Sequence, residues 1–514
     1  MSSEPPFQTI AARIGEHAAR DPAHLALVDA ATAIDYATLE ALMNRIAVAL
    51  RQAGVQPGDV IALCAAGSVR YAAVFLGALR AGVVVAPLAP SVTSASLHSM
   101  LVDCGAKLLF ADAAVLDLLA EVASLPPLIA LDAAAPGTRF DDWIDAAEGV
   151  PEKVAIAPEA PFNIIYSSGT TGTPKGIVQS HGMRWRHVMR GSDSGYGPEA
   201  VTLLATPLYS NTTLVSFFPT MAFGGTALLM AKFDAEAYLA LAERHRATHT
   251  MLVPVQYQRV MASPSFDRTD LSAFRFKFCT SAPFAAALKA DVLARWPGGL
   301  VEYYGMTEGG GTCILAAHDH PTKLHTVGRP SEGHDIRLID EAGRELPAGE
   351  AGEVVGHSAA MMNGYHHQPV KTAEAEWLDA DGKRYIRTGD VGRFDADGFL
   401  VLMDRRKDMI ISGGFNIYPS DLEAVMREHP EVAEVAVVGV PSADWGETPI
   451  AFVVRRAGSA ATEADVMAWT NARVGKTQRI ARIDFVAELQ RSAIGKVLKK
   501  DLRDAHVASG QAPR

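Results

Sequence analysis

The sequence predicts an α/β fold, with a large multi-lobed N-terminal domain of mixed and parallel sheets and helices followed by a small α+β domain. The chain has 514 residues, more than one hydrophobic core usually organises, since domains commonly hold about 100–150 residues. Hydrophobic residues make up 49% and charged residues 20%, a composition typical of folded globular proteins. Helical and strand patterns also alternate along the chain, as they do in parallel sheets.

The alternation of elements is clearest in the first quarter of the chain. Apolar residues recur at helical spacing from Tyr36 to Leu50, and a turn at 54–59 leads into the apolar run Val60–Cys64. Because helices of this length alternate with strands, we expect a largely parallel sheet. The same order then repeats with a helix near 69–79 and a strand at 83–86, and with a helix near 94–102 and a strand at 107–111.

The composition changes after about residue 404, which predicts a domain boundary. A glycine-containing, β-rich stretch lies upstream at 335–403, and the charged run 405–408 precedes a compact set of elements. We therefore expect domains at 1–403 and 404–514 with a hinge between them. The expected elements of the second domain are a helix at 419–427, strands at 432–438 and 450–454, a helix at 462–474, a strand at 483–486 and a helix at 495–503.

Charge and cysteine content narrow the class of protein. Lys and Arg number 47 against 58 Asp and Glu, a net charge of −11, which disfavours a broad nucleic-acid-binding face. The N-terminus lacks the basic start and apolar core of a secretion signal, and the apolar stretch 71–90 is interrupted by Arg80 and Gly82, so we expect no membrane span and a cytoplasmic protein. Small buried cysteines without CxxC spacing fit a reducing compartment; they are Cys64, Cys104, Cys279 and Cys313.

A loop rich in glycine and hydroxyl groups is the strongest chemical feature. It follows the apolar strand 162–165, and its glycines let backbone N–H groups approach an anion while Lys175 adds positive charge. A flexible linker would need neither the lysine nor so many donors. The loop is not a Walker A motif, because Pro174-Lys175-Gly176 replaces the required GK[ST]. The phosphate cradle comprises Ser167, Ser168, Gly169, Thr170, Thr171, Gly172, Thr173 and Lys175.

This loop resembles the phosphate-binding signature of the adenylate-forming superfamily. That superfamily includes acyl-CoA and aryl-CoA synthetases, luciferases and the adenylation domains of peptide synthetases. Further segments resemble its other motifs in the same order along most of the chain. They are Ser281-Ala282-Pro283, Tyr304-Gly305-Met306-Thr307-Glu308, Tyr385–Asp390, Asp404–Pro419 and Gly495-Lys496.

The resemblance implies roles for the residues of the central motifs. The phosphate loop, Ser281-Ala282-Pro283 and Tyr304-Gly305 would contact the nucleotide, with the Tyr304 ring stacked on adenine. Thr307 would contact the AMP phosphate, and Glu308 would bind Mg²⁺. Taken without its neighbours, Glu308 could equally be a solvated acid.

The resemblance also implies roles for residues around the hinge. Asp390 would hold both ribose hydroxyls, Arg405 would contact ribose or phosphate, and Asp404 would be the pivot of the mobile domain. Asp390 alone could instead cap a turn, as aspartate often does.

Three residues of the small domain complete the expected site. Lys496 would stabilise the charge that develops when a carboxylate attacks the α-phosphate. The alternative is a surface lysine that begins a basic helix. Gly413 and Gly414 would lie beside the pantetheine tunnel.

The implied reaction has two half-reactions at one site. A carboxylic acid and ATP give an acyl-adenylate and pyrophosphate, and after rotation of the small domain the thiol of coenzyme A displaces AMP. No carrier-protein domain is attached, so we expect free coenzyme A as the acceptor. The expected ligands are therefore the acid, ATP, Mg²⁺ and coenzyme A, and a homodimer is left open.

The acyl pocket is less explicit. Segment 207–214 resembles a family segment that carries a histidine where this chain has Ser210 and a glycine where it has Thr213. Amino-acid-activating relatives carry an aspartate at the Ser210 position, so the serine argues against an α-amino acid. We expect an apolar slot for an aromatic or medium-to-long aliphatic monocarboxylate, although the aromatic side chains could equally be core. The candidates are Tyr209, Ser210, Asn211, Phe217, Phe218, Met221, Tyr257, Phe284 and Gly309-Gly310-Gly311.

Two alternatives to an acyl- or aryl-CoA synthetase stay open. One is an adenylate-forming enzyme that loads a separate carrier protein, or a luciferase-like relative that uses oxygen. The other is a nucleotide-binding regulatory protein without catalysis, and the presence of every charged motif residue argues against it. These residues are Lys175, Glu308, Asp390, Arg405 and Lys496.

Overall fold

The structure is a computed structural model. The chain divides into two compact units, the first formed by residues 1–336 and 356–386 and the second by residues 337–355 and 387–514. The described residues are 6–122, 124–133, 135–167, 175–405, 408–412, 415–442, 445–475, 478–492 and 497–509.

The secondary structure is mixed, which confirms the predicted α/β class. The helices are α1 (Ile10–Arg20), α2 (Tyr36–Gln52), α3 (Val69–Arg80), α4 (Ser94–Cys104), α5 (Leu116–Ala120), α6 (Phe140–Asp145), α7 (His181–Met189), α8 (Asn211–Ala222), α9 (Ala235–Arg244), α10 (Pro254–Met261), α11 (Ala286–Arg295), α12 (Pro369–Glu374), α13 (Pro419–Arg427), α14 (Glu463–Asn471) and α15 (Lys499–Ala508), with short 3₁₀ turns at Ala113–Val115, Arg190–Ser194 and Phe266–Arg268.

The strands that begin in the first unit form two large sheets and contribute to a third, five-stranded sheet between residues 335 and 405. They are β1 (Leu25–Val28), β2 (Ala33–Asp35), β3 (Val60–Cys64), β4 (Val84–Pro87), β5 (Leu109–Ala111), β6 (Leu128–Ala130), β7 (Thr138–Arg139), β8 (Pro161–Ser167), β9 (Lys175–Ser180), β10 (Val201–Leu204), β11 (Thr226–Leu229), β12 (His249–Leu252), β13 (Phe276–Cys279), β14 (Gly299–Tyr304), β15 (Cys313–Ala316), β16 (Arg329–Pro330), β17 (Asp335–Ile339), β18 (Gly352–His357), β19 (Gly364–Tyr365), β20 (Glu376–Leu378) and β21 (Arg384–Phe394), of which β17, β18 and β21 continue into the second unit.

The first large sheet carries the Tyr304–Glu308 motif. Its strand order is β16-β15-β14-β13-β12-β10-β11-β1-β2. The strands from β14 to β1 pair in parallel, and the outer strands β2, β15 and β16 pair antiparallel. The motif therefore begins at the carboxyl end of a parallel strand, where α/β proteins place their ligands.

The second large sheet carries the phosphate loop. Its order is β19-β9-β8-β4-β3-β5-β6-β7. Strands β8 and β9 are antiparallel neighbours, and their register places Ser167 opposite Lys175. The ends of the predicted loop are thus fixed side by side by a strand pair.

One hydrophobic core joins the two large sheets. It contains inward-facing residues of strands from both sheets and of helices α1, α2, α3 and α8. The rings of Phe75, Phe162 and Phe218 pack with centroids 5.1–6.2 Å apart. Aromatic contacts at this spacing contribute beyond the burial of their area. The sheets that carry the two motifs are therefore held at one core.

The second unit contains its own five-stranded mixed sheet, in which one edge strand pairs in parallel and the others antiparallel. Its core is formed by apolar residues such as Ile410, Leu422 and Val435. Strands β25 and β26 pair over their whole length, so both are longer than the sequence predicts. Its remaining strands are β22 (Leu400–Arg405), β23 (Ile410–Ser412), β24 (Phe415–Ile417), β25 (Val432–Ser442), β26 (Gly446–Arg455) and β27 (Arg482–Phe485).

The last helix departs from the sequence prediction. The expected helix at 495–503 is instead α15, which begins at Lys499 and ends at Ala508. Val497 forms an antiparallel bridge with Arg491, and Leu498 has a non-helical ψ of 69°. An extended residue at 497 excludes a helix that starts at Gly495.

The four cysteines are buried and unpaired, as the sequence predicts. Within the described parts of the chain, no helix is both long enough and apolar enough to cross a bilayer.

A buried ion pair lies beneath the motif strand β14. Lys289 of α11 is 1% exposed and contacts Glu302 of β14, which is 5% exposed, and its ammonium also donates to the Thr326 carbonyl at 3.0 Å. Burial raises the pKa of Glu302 to about 7, and the Lys289 ammonium opposes that rise. Each charge therefore depends on its partner for compensation.

We expect Lys289→Met to destabilise the protein by about 3–5 kcal/mol near pH 8, because Glu302 is left buried without a counter-charge. The folded state already binds the Glu302 proton more tightly than a free carboxyl with a pKa of 4.5 does. Stability is therefore lost as the pH rises, and the variant should lose less at about pH 5. Urea denaturation at both pH values measures the effect. Adding Glu302→Gln should recover most of it, and an equal loss at both pH values would contradict this account.

Candidate functional site

The structure describes only the two ends of the phosphate loop, Ser167 and Lys175. Ser168, Gly169, Thr170, Thr171 and Gly172 lie outside the described residues, whereas Ser167 and Lys175 end and begin the paired strands β8 and β9. The Lys175 Nζ lies 5.0 Å from the centroid of the Tyr365 ring. A cation over an aromatic face is attracted by the ring quadrupole, so Tyr365 holds the lysine side chain in place.

Tyr365 also binds the acid of the second motif. Its hydroxyl donates to Glu308 Oε1 at 2.9 Å. Burial, with the Glu308 carboxylate adding to the effect, raises the pKa of Tyr365, so this hydroxyl stays protonated and remains a donor. Lys175 and Glu308, predicted from motifs that are 133 residues apart, therefore converge on one tyrosine ring.

The loop after β14 is fixed through its backbone. The Thr307 carbonyl accepts from Gln179 Nε2 at 2.6 Å, and the Glu308 carbonyl accepts from the Met362 N–H at 2.8 Å. Gly309 has a φ of +80°, and a Cβ atom there would lie 2.1 Å from the Ala360 carbonyl oxygen. Only glycine fits this close approach. The close approach of the Ala360 backbone therefore requires glycine at position 309, independently of any role in binding the acyl group.

A fully buried polar chain supports Gln179. Gln179 Oε1 accepts from Asn163 Nδ2 at 3.1 Å, and Asn163 Oδ1 accepts from Arg184 Nε at 3.1 Å. Asn163 and Gln179 have no exposed surface, and Arg184 is 1% exposed. Hydrogen bonds in such a dry environment are strong, and each member is costly to leave without a partner. We call Arg184, Asn163, Gln179 and the Thr307 carbonyl the polar relay.

The Ser281-Ala282-Pro283 motif begins with a strained residue. Ser281 has a φ of +81°, a left-handed conformation that costs a non-glycine residue about 1–3 kcal/mol. Its hydroxyl lies 2.6 Å from that of Thr212 in α8. Strain of this kind persists where the surroundings fix the backbone, and it is common at functional sites.

The candidate pocket residues surround the start of α8. Ser210 is the N-cap of this helix, and its hydroxyl accepts from the Thr212 N–H at 3.3 Å. Burial raises the pKa of Tyr209, and the side-chain oxygen of Asn211 is buried without a partner. The serine that replaces the family histidine therefore has a structural role as a helix cap.

The structure decides between slot and core for several apolar candidates. Phe217, Phe218 and Met221 are each at most 1% exposed and belong to the core between the large sheets. Tyr257 is also fully buried and donates to the Phe278 carbonyl at 2.8 Å, and Phe284 stacks on it with ring centroids 5.2 Å apart. Phe217, Phe218 and Met221 are therefore core, whereas Phe284 stays a candidate for the pocket.

The second unit carries the remaining described candidates. Asp390 of β21 is the register partner of Arg405 of β22, and Asp404 pairs with Val391. The Asp390 N–H donates to Thr388 Oγ1 at 3.0 Å, which closes a turn before the acid. Gly413, Gly414 and Lys496 lie outside the described residues. The antiparallel register therefore brings Asp390 and Arg405 opposite each other.

A magnesium ion at this site would have few protein ligands. Among the described residues, no cluster of three or more His, Cys, Asp or Glu side chains could hold a metal. Mg²⁺ commonly uses one or two carboxylates and completes its shell with substrate phosphates and water. A single carboxylate, Glu308, held by the Tyr365 hydroxyl fits that pattern.

Comparison with known proteins identifies the family. The AMP-binding enzyme profile matches residues 14–366, and that of the AMP-binding enzyme C-terminal domain matches 421–496. The chain belongs to the AMP-binding enzyme family. This confirms the predicted adenylate-forming resemblance.

Individual relatives cover nearly the whole chain. A feruloyl-CoA synthase of Amycolatopsis sp is 34% identical over 477 residues, which is 92% of this chain and 94% of that protein. An indoleacetate–CoA ligase of Aromatoleum aromaticum is 32% identical over 505 residues, 95% and 96% of the two chains. The crystal structure of ATP-bound MatB from Rhodopseudomonas palustris superposes with a TM-score of 0.87 and 30% identity, covering 98% and 100%.

The sequence motifs of this AMP-binding enzyme did not include the side chains that connect them. Tyr365, Gln179 and Asn163 lie outside every motif. Nevertheless, Tyr365 donates to Glu308, Gln179 donates to the Thr307 carbonyl, and Asn163 donates to Gln179. A polar residue inside an otherwise apolar strand, as Asn163 is in β8, is the signal that could have indicated a buried polar network.

We expect Gln179→Leu to disturb this AMP-binding enzyme locally. The change leaves Asn163 and the Thr307 carbonyl without their partner, at about 1–3 kcal/mol for each buried group. Thermal unfolding should show the loss of stability, and ATP-dependent pyrophosphate exchange should fall further than stability alone explains. Val102→Ala, at a residue that is 67% exposed, is the control. Unchanged stability and exchange in Gln179→Leu would show that the relay is unimportant.

Proposed function

We propose that the protein is an AMP-forming acid–CoA ligase. A carboxylic acid reacts with ATP to give an acyl-adenylate and pyrophosphate, and the thiol of coenzyme A then displaces AMP to give the acyl-CoA. The observation that carries the proposal is the convergence of Lys175 and Glu308 on Tyr365, in a chain of the AMP-binding family. Relatives named as CoA ligases over more than nine-tenths of the chain support the same reaction.

Residues of the first unit bind the nucleotide in this proposal. The loop Ser167–Lys175 receives the phosphates through backbone N–H groups, hydroxyls and the Lys175 ammonium. Tyr304 stacks on the adenine, and Thr307 donates to the α-phosphate. The polar relay holds the Thr307 backbone, so these donors are positioned before substrate arrives.

Glu308 would hold the Mg²⁺ ion, which would neutralise phosphate charge during adenylation. The Tyr365 hydroxyl orients this carboxylate, as outer groups orient metal ligands generally. Ser281, Ala282 and Pro283 complete the nucleotide site. We propose Tyr209, Ser210, Asn211, Phe284 and Gly309 as the surroundings of the acyl group.

Residues of the second unit complete the nucleotide site and provide the lysine for the first half-reaction. Asp390 accepts hydrogen bonds from the ribose hydroxyls, and Arg405 contacts ribose or phosphate. We propose domains at 1–403 and 404–514 that rotate about Asp404, so that Lys496 is delivered for adenylation only. The antiparallel pairing of Asp390 with Arg405, next to the proposed pivot, supports this arrangement.

Free coenzyme A is the proposed acceptor, and Gly413 and Gly414 leave room for its pantetheine arm. A carrier protein as acceptor is the second candidate, and a luciferase-like oxidation is the third. We further propose a cytoplasmic location, because ATP and coenzyme A are available there. A homodimer stays a prediction, which light scattering after size-exclusion chromatography tests.

The deciding experiment is a panel of carboxylic acids incubated with ATP and Mg²⁺, with coenzyme A present or absent. We expect acid-dependent pyrophosphate release, and a stoichiometric acyl-CoA product when coenzyme A is present. Addition of EDTA should stop turnover, and excess Mg²⁺ should restore it. Acid turnover without acyl-CoA would favour a carrier protein as acceptor. Absence of turnover with every acid would refute the enzyme assignment.

We expect Lys496→Ala to lower adenylation by about 10²–10³-fold, since removal of one preorganised charge-stabilising group typically has this effect. Acyl-CoA formation from supplied acyl-adenylate should be nearly unchanged, because the second half-reaction uses a different arrangement of the domains. Stopped-flow measurement of each half-reaction tests this. Lys500→Ala, in the same basic segment, is the matched control. An equal loss in both half-reactions would contradict the domain rotation.

A further inference from the structure

Three basic residues recur at a spacing of three along α7 and the 3₁₀ turn that follows it. They are Arg184, His187 and Arg190. Burial lowers the pKa of Arg184 to about 9 and also lowers the pKa of His187 and Arg190, and the two arginines lower that of His187 further. Two guanidinium groups therefore flank a neutral imidazole in the first unit, one of them buried and the other half-buried.

Arg190 lacks a counter-charge among the described residues. Its one hydrogen bond is from Nη1 to the hydroxyl of Thr312 at 3.5 Å, and Tyr303 is its other polar neighbour. The sequence of the loop 168–174 contains no acid either. Arg190 is half-buried, and a guanidinium that has lost part of its water without gaining a carboxylate is costly. An anion from outside the chain would supply the missing charge.

Two histidines beside Arg190 add further polar atoms. The Thr312 N–H donates to His334 Nδ1 at 2.9 Å, so the ring proton of a neutral His334 lies on Nε2, where it can be donated. Burial and Arg190 lower the pKa of His334 to about 4, which keeps the ring neutral. His187 Nδ1 is buried without a partner. The group is therefore rich in donors.

His187, Arg190, Tyr303, Thr312 and His334 are half-buried, so each keeps part of its surface accessible to a ligand. Tyr303 and Val215 both pack against the hydrophobic cluster that contains Tyr196 and Phe278. Val215 lies one turn along α8 from Asn211.

The group is connected to the proposed adenylation site through two segments. Tyr303 directly precedes Tyr304 on β14, and Thr312 follows Glu308 by four residues. Arg190, which donates to the Thr312 hydroxyl, is therefore close to the loop that follows Glu308.

We propose that the acid activated by this protein carries a second carboxylate, which Arg190 binds with the help of Thr312 and the His334 Nε2–H group. This inference rests on the proposed function and deepens it, because it names a dicarboxylic acid as the substrate class. The second carboxylate accepts hydrogen bonds from the guanidinium, whose planar fork matches a carboxylate. The proposal differs from the monocarboxylate that the sequence predicts in the polar group at the far end of the acid.

The test compares acids that differ only in the distal carboxylate: glutaric with valeric acid and terephthalic with benzoic acid. We expect the wild-type protein to have a higher kcat/KM for the dicarboxylic member of at least one pair. In Arg190→Met, kcat/KM for that acid should fall at least about 30-fold, since truncation of one partner of a buried charge pair has effects of this size. The monocarboxylic member should be used as well as before or better.

Three controls keep the outcomes separate. Arg259→Met, at an exposed position of α10, should change neither activity nor preference. Arg190→Lys keeps the charge without the fork and should retain part of the preference, which serves if Arg190→Met does not fold. Calorimetry with ATP alone should give the wild-type affinity for Arg190→Met.

A wild-type preference for the monocarboxylic member of every pair would overturn the proposal, as would an equal loss for both members in Arg190→Met. If no acid is turned over, the proposed function fails, and calorimetry then tests the site directly. Glutarate or terephthalate binding to the wild-type protein but not to Arg190→Met would support the anion site. Binding to neither would overturn it.

Discussion

The hydrogen bond from Gln179 to the Thr307 carbonyl is the contact on which the first unit's site depends. Gln179 lies on β9, the strand that begins with Lys175, and Thr307 lies in the loop after β14. The bond therefore connects the two large sheets at the position where each carries a motif. Its Gln179 end is fully buried and continues through Asn163 to Arg184, so that end cannot exchange the bond for water.

Tyr365 reinforces this connection on the side that faces the phosphates. The short strand β19 pairs with β9, so the ring is fixed to the same hairpin as Lys175. One side chain then contacts both a cation and a carboxylate, through its face and its hydroxyl. The Tyr365 ring thus gives the Lys175 ammonium and the Glu308 carboxylate separate partners. Because the two charges do not pair with each other, the ammonium can bind phosphate and the carboxylate can bind a metal ion.

The net charge of the chain does not describe the charged groups in the interior of the first unit. The net charge of −11 opposes a broad anion-binding face, yet the interior of the first unit holds Arg184 and Arg190 without carboxylate partners among the described residues. The Lys289–Glu302 pair shows that the fold compensates buried charge where the charge is purely structural. The fully buried Lys277 donates instead to three backbone carbonyls. Arg190 has a single hydroxyl partner among the described residues, which draws attention to an anion from outside the chain.

Local sequence patterns are enough to predict the α/β class, the family and the motif residues, because these patterns repeat or occur within a few residues. Helices such as α13 were predicted to the residue. The start of α15 was not, since the bridge between Val497 and Arg491 excludes the earlier turn. Only the tertiary structure decided that Phe217 and Phe218 are core, that Ser210 caps a helix, and that Tyr365 joins Lys175 to Glu308. Those facts depend on which distant strands become neighbours, and a buried side chain's role is set by the partners that folding brings to it.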